Sequence, residues 1–196
     1  MIGKRRLDRI CKAITSIVIW STLAFLIIPI IAAVSMSVDP RGYAAYFPPV
    51  GFTLRWFIFF INYHSYQEGL KNSFIIAAFA TLASLSIGIP CSYAIVRYRF
   101  KGRDLLSNIA LSPIIVPGVV TGTAIVTMMY QYLRFYNAFI NLIIAHCVIT
   151  LPYVLRTVTA SLIGFDRSLE EAAQNLGANE IQTFFKITLP IIKPGV

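Results

Sequence analysis

Long apolar stretches separated by short charged segments dominate the pattern of this 196-residue chain. Four stretches are near or above the roughly 20 residues that a helix needs to cross a bilayer. They cover residues 14–36, 72–96, 105–130 and 136–160. None contains an acidic residue, and each contains at least one proline, namely Pro29, Pro90, Pro113, Pro117 and Pro152. Neighbouring helices in a membrane bundle can satisfy the backbone groups that a proline frees. The pattern therefore predicts an all-α integral membrane protein, a polytopic bundle of kinked transmembrane helices, TM1 to TM4.

The distribution of Lys and Arg predicts the orientation of these spans. Residues 1–13 form a basic N-terminus, and the loop over 97–104 reads RYRFKGR followed by Asp104. The aromatic-rich segment over 37–71 has balanced charges, and the turn before TM4 carries only Arg134. Because basic residues accumulate in cytoplasmic loops, we expect a cytoplasmic N-terminus and an external segment 37–71. TM1 is longer than the apolar run of a signal peptide, so we expect it to be retained.

The external segment predicts an interfacial belt and a short surface helix. Trp and Tyr gather at membrane–water interfaces because their rings are amphipathic. The aromatic and proline residues concerned are Tyr43, Tyr46, Phe47, Pro48, Pro49, Phe52 and Trp56. We expect the helix over residues 52–60, lying on the outer surface.

Composition agrees with a membrane location. Hydrophobic residues make up 57% of the chain and charged residues only 13%, whereas soluble domains carry about a quarter charged residues. The formal net charge is +9, but the sequence has no motif that reads a groove or stacks bases, so we expect no nucleic-acid partner. The three cysteines are far apart and form no ligand cluster, which favours plain packing roles and no metal site.

The segment over 161–190 carries the most informative local pattern. Ser168 and Glu171 have the spacing of a capping box at a helix start. An apolar stripe follows at helical spacing, formed by Leu169, Ala172, Ala173 and Leu176. Gly177 is suited to the left-handed conformation that ends a helix, and a second short helix is expected from Asn179. The segment predicts two short cytoplasmic helices joined at a glycine.

The polar side of the first short helix is acidic, with Glu170, Glu171 and Gln174 expected on the rim of the stripe. Amphipathic helices that lie on a bilayer usually carry Lys and Arg instead. Acidic groups facing the anionic inner leaflet are disfavoured. We therefore expect this helix to bind a protein partner.

The same segment closely resembles the EAA loop of bacterial ABC-importer permeases. That pattern is Glu-Ala-Ala, three residues, Gly, nine residues, then Ile-x-Leu-Pro. Here Glu171 to Ala173 are followed by Gly177, and Ile187, Leu189 and Pro190 stand at the family's spacing. The flanking residues are similar to the polyamine (spermidine/putrescine) branch, with iron, thiamine and phosphonate permeases as relatives.

The resemblance implies a type I ABC-importer permease fold and a division of labour. A cytoplasmic ABC ATPase dimer would hydrolyse Mg-ATP and grip the loop, so this chain would have no catalytic residue and no cofactor of its own. A second permease, identical or different, an external solute-binding protein and membrane lipid would be its other partners, in the bacterial inner membrane. The ATPase-coupling residues would be Ser168, Glu170, Glu171, Ala172, Ala173, Leu176 and Gly177. No GxxxxGK[ST] stretch is present in the sequence.

Members of this family usually have six spans, and residues 191–196 stand where a fifth would begin. We therefore expect the chain to be either a fragment or a truncated subunit, ending after the fourth span and the EAA loop. The solute pathway is a separate question, since polar groups inside spans tend to face the bundle or a cavity. The pathway candidates are Asn108, Ser112, Thr121, Thr123, Asn141 and His146.

Three other classes of membrane protein fit the sequence less well. A secondary transporter or channel typically has ionisable residues in its spans, and we expect none here besides His146. An intramembrane enzyme needs a nucleophile with a base or a metal cluster, and the sequence shows neither constellation. A structural membrane scaffold is opposed only by the EAA loop.

Overall fold

A computed structural model describes residues 3–41 and 48–195, except for the side chains of residues 4–7. Among the described residues 82% are helical and none lies in a β-strand, which confirms the all-α class. The chain divides into two compact units, Met1–Leu70 and Lys71–Val196. Within the described ranges, three helices are long and apolar enough to cross a membrane, and a sharply bent helix pair makes a fourth candidate.

The first unit contains α1 (Lys4–Ser37), α2 (Arg55–Asn62) and the start of α3 (His64–Arg97). The candidate membrane span within α1 covers Asp8–Ser37, and Pro29 lies inside the helix without ending it. The short helix expected over 52–60 is present as α2, shifted by a few residues. Tyr43, Tyr46 and Phe47 lie outside the described residues.

The loop between α1 and α2 is organised by the buried carboxylate of Asp39. Arg41 donates from its guanidinium and its backbone N–H to this carboxylate, and the Val50 N–H donates at 3.3 Å. The Trp56 indole N–H bonds the Asp39 carbonyl at 2.8 Å and so ties α2 to the same point. The hydrogen bonds from Arg41 hold the pKa of Asp39 well below its usual range, despite the opposing effect of burial.

The second unit contains most of α3 and a series of shorter elements. These are α4 (Arg103–Leu111), a 3₁₀ turn (Ser112–Ile114), α5 (Gly118–Thr127), a π turn (Met128–Tyr132), α6 (Ala138–Gly164) and α7 (Ser168–Asn175). A last helical run comprises α8 (Glu180–Thr183), a π turn (Phe184–Thr188), α9 (Leu189–Ile192) and a 3₁₀ turn (Lys193–Gly195).

The segment expected as TM3 is broken more sharply than a proline kink. The helical pieces Arg103–Ile114 and Gly118–Tyr132 meet at an angle of 106°. Pro113 is the second residue of the 3₁₀ turn, and Pro117 precedes α5 with a non-helical ψ of 132°. Proline has no N–H to donate and also disfavours a helical residue before it, so two prolines four positions apart interrupt the hydrogen-bond ladder.

The core of the second unit lies where the last helical run packs against α6. Val158, Leu162 and Ile192 are almost completely buried there. Half-buried side chains from α3, α6 and α9 surround them, namely Ile89, Tyr93, Val96, Val154 and Leu189. This packing brings the residues that follow α7 back against α6 and the last turns of α3.

Candidate functional site

The candidate site is the hairpin of α7 and α8, and its first helix begins differently from the prediction. No side chain caps α7 at Ser168, so the capping box expected between Ser168 and Glu171 is wrong. The Asp166 carboxylate instead accepts a hydrogen bond from the Ser168 N–H at 2.9 Å. This bond lowers the pKa of Asp166. An acid just before the helix also suits the positive end of the helix dipole.

The turn between the two short helices is the predicted glycine turn. Gly177 has a φ of +93°, which confirms its left-handed conformation. The Gly177 N–H bonds the Gln174 carbonyl at 2.9 Å and the Ala178 N–H bonds the Ala173 carbonyl at 3.1 Å. These two bonds satisfy carbonyls at the end of α7 that would otherwise be left open.

The capping box lies at the start of the second helix. The Asn179 side chain accepts from the Gln182 N–H at 2.8 Å, and the Gln182 side chain accepts from the Asn179 N–H at 3.2 Å. The predicted start at Asn179 is confirmed. Asn-x-x-Gln is a variant of the capping signature, so the sequence contained the signal.

Glu170 is buried inside the hairpin, and its expected place on the rim is wrong. The residue is only 4% exposed. The Arg97 Nε lies 2.9 Å from one carboxylate oxygen of Glu170, and the Thr188 hydroxyl donates to the other at 2.7 Å. Arg97 is the last residue of α3 and Thr188 ends the π turn after α8. Glu170 therefore joins three separate elements.

Aromatic rings lie beside this charged cluster. The Arg97 guanidinium carbon lies 5.5 Å from the Phe165 ring centre. Rings of Tyr93 and Phe184 meet edge to face with centres 5.1 Å apart. The Tyr98 hydroxyl donates to Glu180 at 3.0 Å, and this bond raises the pKa of Tyr98. The side chains of Arg97 and Glu170 are only 10% and 6% exposed, so their charges interact in a lower dielectric than that of water.

The outer face of α7 is exposed. Leu169, Ala172 and Leu176 are exposed, and together they form what we call the α7 surface. Leu176 is 90% exposed, and Ala173 beside them is half-buried. Glu171 is also exposed, with its carboxylate 3.3 Å from the Arg167 Nε. An exposed apolar stripe with an acid at its edge is a surface suited to a protein partner.

Three of the six pathway candidates bond to their own helix. Ser112 donates to Ile109, Thr123 donates to Val119, and the His146 Nδ1 lies 2.7 Å from the Leu142 carbonyl. Such local bonds satisfy the side chain without a partner helix. In the described residues, His146 makes no hydrogen bond to another helix.

The other three candidates are Asn108, Thr121 and Asn141. Asn108 is exposed on α4. Asn141 is buried and donates to the Phe135 carbonyl at 2.9 Å, while its Oδ1 has no hydrogen-bond partner among the described residues. The buried Thr121 hydroxyl is likewise without a partner in the described part of the chain. No hydrogen bond joins any two of the six candidates there.

Sequence reasoning missed Arg156 as an ionisable residue of the fourth apolar stretch, so His146 is not alone in the spans. Arg156 lies on α6 and lines a cavity of about 240 Å³, together with Ser107 and Leu111 of α4. It also missed Arg97 and Thr188 as partners of Glu170. Their signal was weak, because nothing in the sequence relates the end of one helix to a threonine far along the chain.

Residues 84–196 match the family model described as binding-protein-dependent transport system inner membrane component. The spermidine/putrescine transport system permease protein PotC of Escherichia coli (strain K12) is 31% identical over 173 residues, 88% of this chain. The molybdate/tungstate transport system permease protein WtpB of Pyrococcus abyssi is 33% identical over 130 residues, covering 66% of this chain and 51% of that protein.

A solved structure has the same fold. It is the crystal structure of a bacterial ABC transporter involved in the import of the acidic polysaccharide alginate. One of its chains matches 97% of this chain with a TM-score of 0.69 at 20% identity, and 68% of that chain is covered. The chain spans 64% of the length of the Escherichia coli relative.

Proposed function

The chain belongs to the family of binding-protein-dependent transport system inner membrane components, and from this premise we propose that it is a permease subunit of an ABC importer. In this proposal it forms part of the solute pathway, and a separate cytoplasmic ATPase drives it. A second permease and an external solute-binding protein complete the importer. The family match over 113 positions, from residue 84 to residue 196, supports the class.

The coupling role is supported by one observation: the α7 surface is exposed, while Glu170 on the other side of the helix is buried. Leu176 and Glu171 project outward, while Glu170 is held by two other elements. A helix that is exposed on one side and fixed on the other can transmit an applied force. The ATPase dimer closes when it binds ATP and moves α7 with it. This rigid-body movement switches the spans between outward and inward access.

The proposed orientation follows from the basic residues. The N-terminus and the loop after α3 are cytoplasmic, and α7 is presented to the cell interior where the ATPase binds. Basic clusters at the N-terminus and at residues 97–103 support this arrangement. The location is then a bacterial inner membrane, crossed several times.

We propose a polyamine as the transported solute, because the spermidine/putrescine permease PotC matches 88% of this chain. The predicted spans hold no carboxylate, so strong binding of a polyamine belongs to the external binding protein. Arg156 favours a second candidate, an oxyanion of the molybdate/tungstate type, since it places a cation beside a cavity. Uptake of labelled spermidine and of molybdate by cells that produce the importer separates the two.

The coupling role is tested by removing apolar contact from the α7 surface. Leu176→Ser changes a side chain that is 90% exposed, so we expect the chain to fold and insert as before. Hot-spot residues of interfaces typically cost more than about 1 kcal/mol when truncated, and a loss of 1.4 kcal/mol is about tenfold in affinity. We therefore expect co-purification with the ATPase to fall by about tenfold or more.

Glu171→Ala tests the acidic edge of the same surface. Its matched control is Asp104→Ala, which removes another exposed acid, in the first turn of α4. We expect the first variant to weaken ATPase binding and the control to leave it unchanged. Wild-type binding by both Leu176→Ser and Glu171→Ala would show that α7 is not the coupling helix.

A further inference from the structure

Glu170 and Glu171 are adjacent in sequence and differ completely in environment. Consecutive residues of an α-helix point about 100° apart, since a turn takes about 3.6 residues. On α7 this rotation turns Glu171 outward, 61% exposed, and Glu170 inward against α3. Both Glu170 oxygens are already engaged, one by Arg97 and one by Thr188. At 4% exposure, this carboxylate is out of reach of a partner protein.

A buried carboxylate has strict requirements. Removing a charge from water is costly unless the charge is paired and hydrogen-bonded. Arg97 and Thr188 meet both requirements only while α7, the end of α3 and the π turn after α8 keep their relative positions. Moving α7 or the end of α3 away would leave a charge unpaired in the interior, and moving the π turn away would remove the hydrogen bond from the carboxylate. Separating any of the three elements from the others would therefore cost free energy.

We infer that Glu170 is a positioning residue that links the coupling helix to the cytoplasmic end of α3. It acts through Arg97 and does not contact the ATPase. A displacement of the α7 surface reaches α6 through the chain itself, since α7 follows α6. It reaches α3 through the contact between the Glu170 carboxylate and the Arg97 guanidinium. This inference rests on the proposed function, because it assumes that α7 receives the force.

The first test measures how firmly α7 is held, using hydrogen exchange of the chain in lipid nanodiscs. Glu170→Gln keeps the size of the side chain and an oxygen for the Thr188 hydroxyl, and it removes the charge opposite Arg97. We expect the amides of α7 to exchange about tenfold faster in this variant, because breaking a buried charged contact promotes local opening. The Gln182 amide, which is capped by Asn179, should not change.

Tyr98→Phe is the matched control. It removes the exposed bond from Tyr98 to Glu180, which also connects the residues after α3 with the hairpin. Exposed polar contacts contribute little, so we expect at most about a twofold change in exchange. Equal effects of Tyr98→Phe and Glu170→Gln would overturn a special role for Glu170.

A double-mutant cycle tests whether Glu170 acts through Arg97. If the two side chains work as a pair, Arg97→Gln combined with Glu170→Gln should accelerate exchange no more than either change alone. Additive effects would overturn the pairing. Should Glu170→Gln fail to accumulate, Thr188→Val removes only the hydroxyl bond, and unchanged exchange in that variant would count against the cluster.

The second test measures coupling in the assembled importer. We expect Glu170→Gln to co-purify with the ATPase as the wild type does, and to import several-fold less solute per ATP hydrolysed. A residue that only stabilised the fold would change the amount of importer and leave this ratio intact. Loss of ATPase binding as in Leu176→Ser would identify Glu170 as a contact residue and overturn the inference.

The two tests also separate this inference from the proposed function. If Leu176→Ser binds the ATPase normally, the coupling role of α7 fails. Glu170→Gln could instead show faster exchange and still import the normal amount of solute per ATP hydrolysed. The contact would then hold α7 in place without contributing to transport, which overturns the inference while the importer assignment stands.

Discussion

The hydroxyl groups of Ser84 and Thr150 lie 2.6 Å apart and join α3 to α6. Ser84 is completely buried, and the Thr150 hydroxyl also donates to the His146 carbonyl of its own helix at 2.8 Å. Ser84 belongs to a stripe of small, buried residues spaced four apart on α3, which comprises Ala80, Ser84, Gly88 and Ser92. Small residues at this spacing allow two membrane helices to approach closely. The α3–α6 contact is therefore set by backbone proximity, and its hydroxyl pair adds a directional bond.

Gly88 is the position where this contact leaves least room. A Cβ at residue 88 would lie 2.6 Å from the Val154 Cγ1, closer than real side chains approach. Overpacking of this kind typically costs about 1–3 kcal/mol. We expect Gly88→Ala to lower the thermal midpoint of the chain in detergent. Gly122→Ala is the control, because a Cβ there meets nothing within 4 Å, and that variant should be neutral or slightly more stable. Equal midpoints would contradict the close approach.

Gly177 tests the turn that ends α7. A side chain at a φ of +93° is strained, and left-handed backbone costs a residue with a Cβ about 1–2 kcal/mol. Space is not the obstacle, since nothing lies within 4 Å of the position. We expect Gly177→Ala to weaken ATPase binding by disordering the turn, without affecting membrane insertion. The same change at Gly164, which is also unobstructed, should leave binding intact. A wild-type result at both positions would show that the turn is not needed.

The hairpin shows what local sequence signals predict well. Gly177 and the start at Asn179 were predicted because a glycine and a capping residue act within one turn of the chain. The capping box was assigned to Ser168 and Glu171, but Asp166 had already satisfied the Ser168 N–H. Two competing acceptors at one helix start cannot be ranked by spacing alone, because the choice depends on the direction in which the chain leaves α6.

The position of Glu170 shows where sequence reasoning stops. Helical periodicity placed it at the edge of the apolar stripe, which is correct for an isolated helix. Its burial depends on Arg97 and Thr188, which tertiary folding brings together. The break around Pro113 and Pro117 was expected as a kink, and the bend of 106° again depends on what packs against each half. Local rules locate elements, and long-range contacts decide which face is buried.

Asp166 gives the start of α7 a pH dependence whose sign can be worked out. Its pKa is lowered in the folded state because the carboxylate accepts the Ser168 N–H. A lowered pKa means that the stabilisation is present above the unfolded value of about 3.9 and is lost as pH falls through the folded value. We expect exchange of the Ser168 amide, corrected for intrinsic rate, to accelerate only below about pH 4. Asp166→Asn keeps the acceptor oxygen and should remove this dependence. If the asparagine variant retained it, another group would be responsible.

The sidedness of α7 can be measured with single cysteines. Cys11, Cys91 and Cys147 would first be replaced by serine or alanine, since Cys11 is exposed and would react. Ala172→Cys then reports on the α7 surface, and Ser65→Cys reports on the start of α3, at the other end of a 34-residue helix. Both positions are exposed, so a difference in labelling reflects the membrane and not burial within the chain.

In intact cells, a membrane-impermeant maleimide should label residue 65 and spare residue 172, and permeabilised cells should show both labelled. The physical reason is the basic loop after α3, which carries Arg97, Arg99, Lys101 and Arg103 and which we expect on the cytoplasmic side. The C-terminal ends of α3 and α6 lie on the same side as α7. A reversed labelling pattern would therefore reverse the orientation of both helices and of α7. Labelling of residue 172 from outside would place the α7 surface beyond the reach of any cytoplasmic ATPase. The anchor at Glu170 would then need a different purpose, since the force it is built to pass on would have no source.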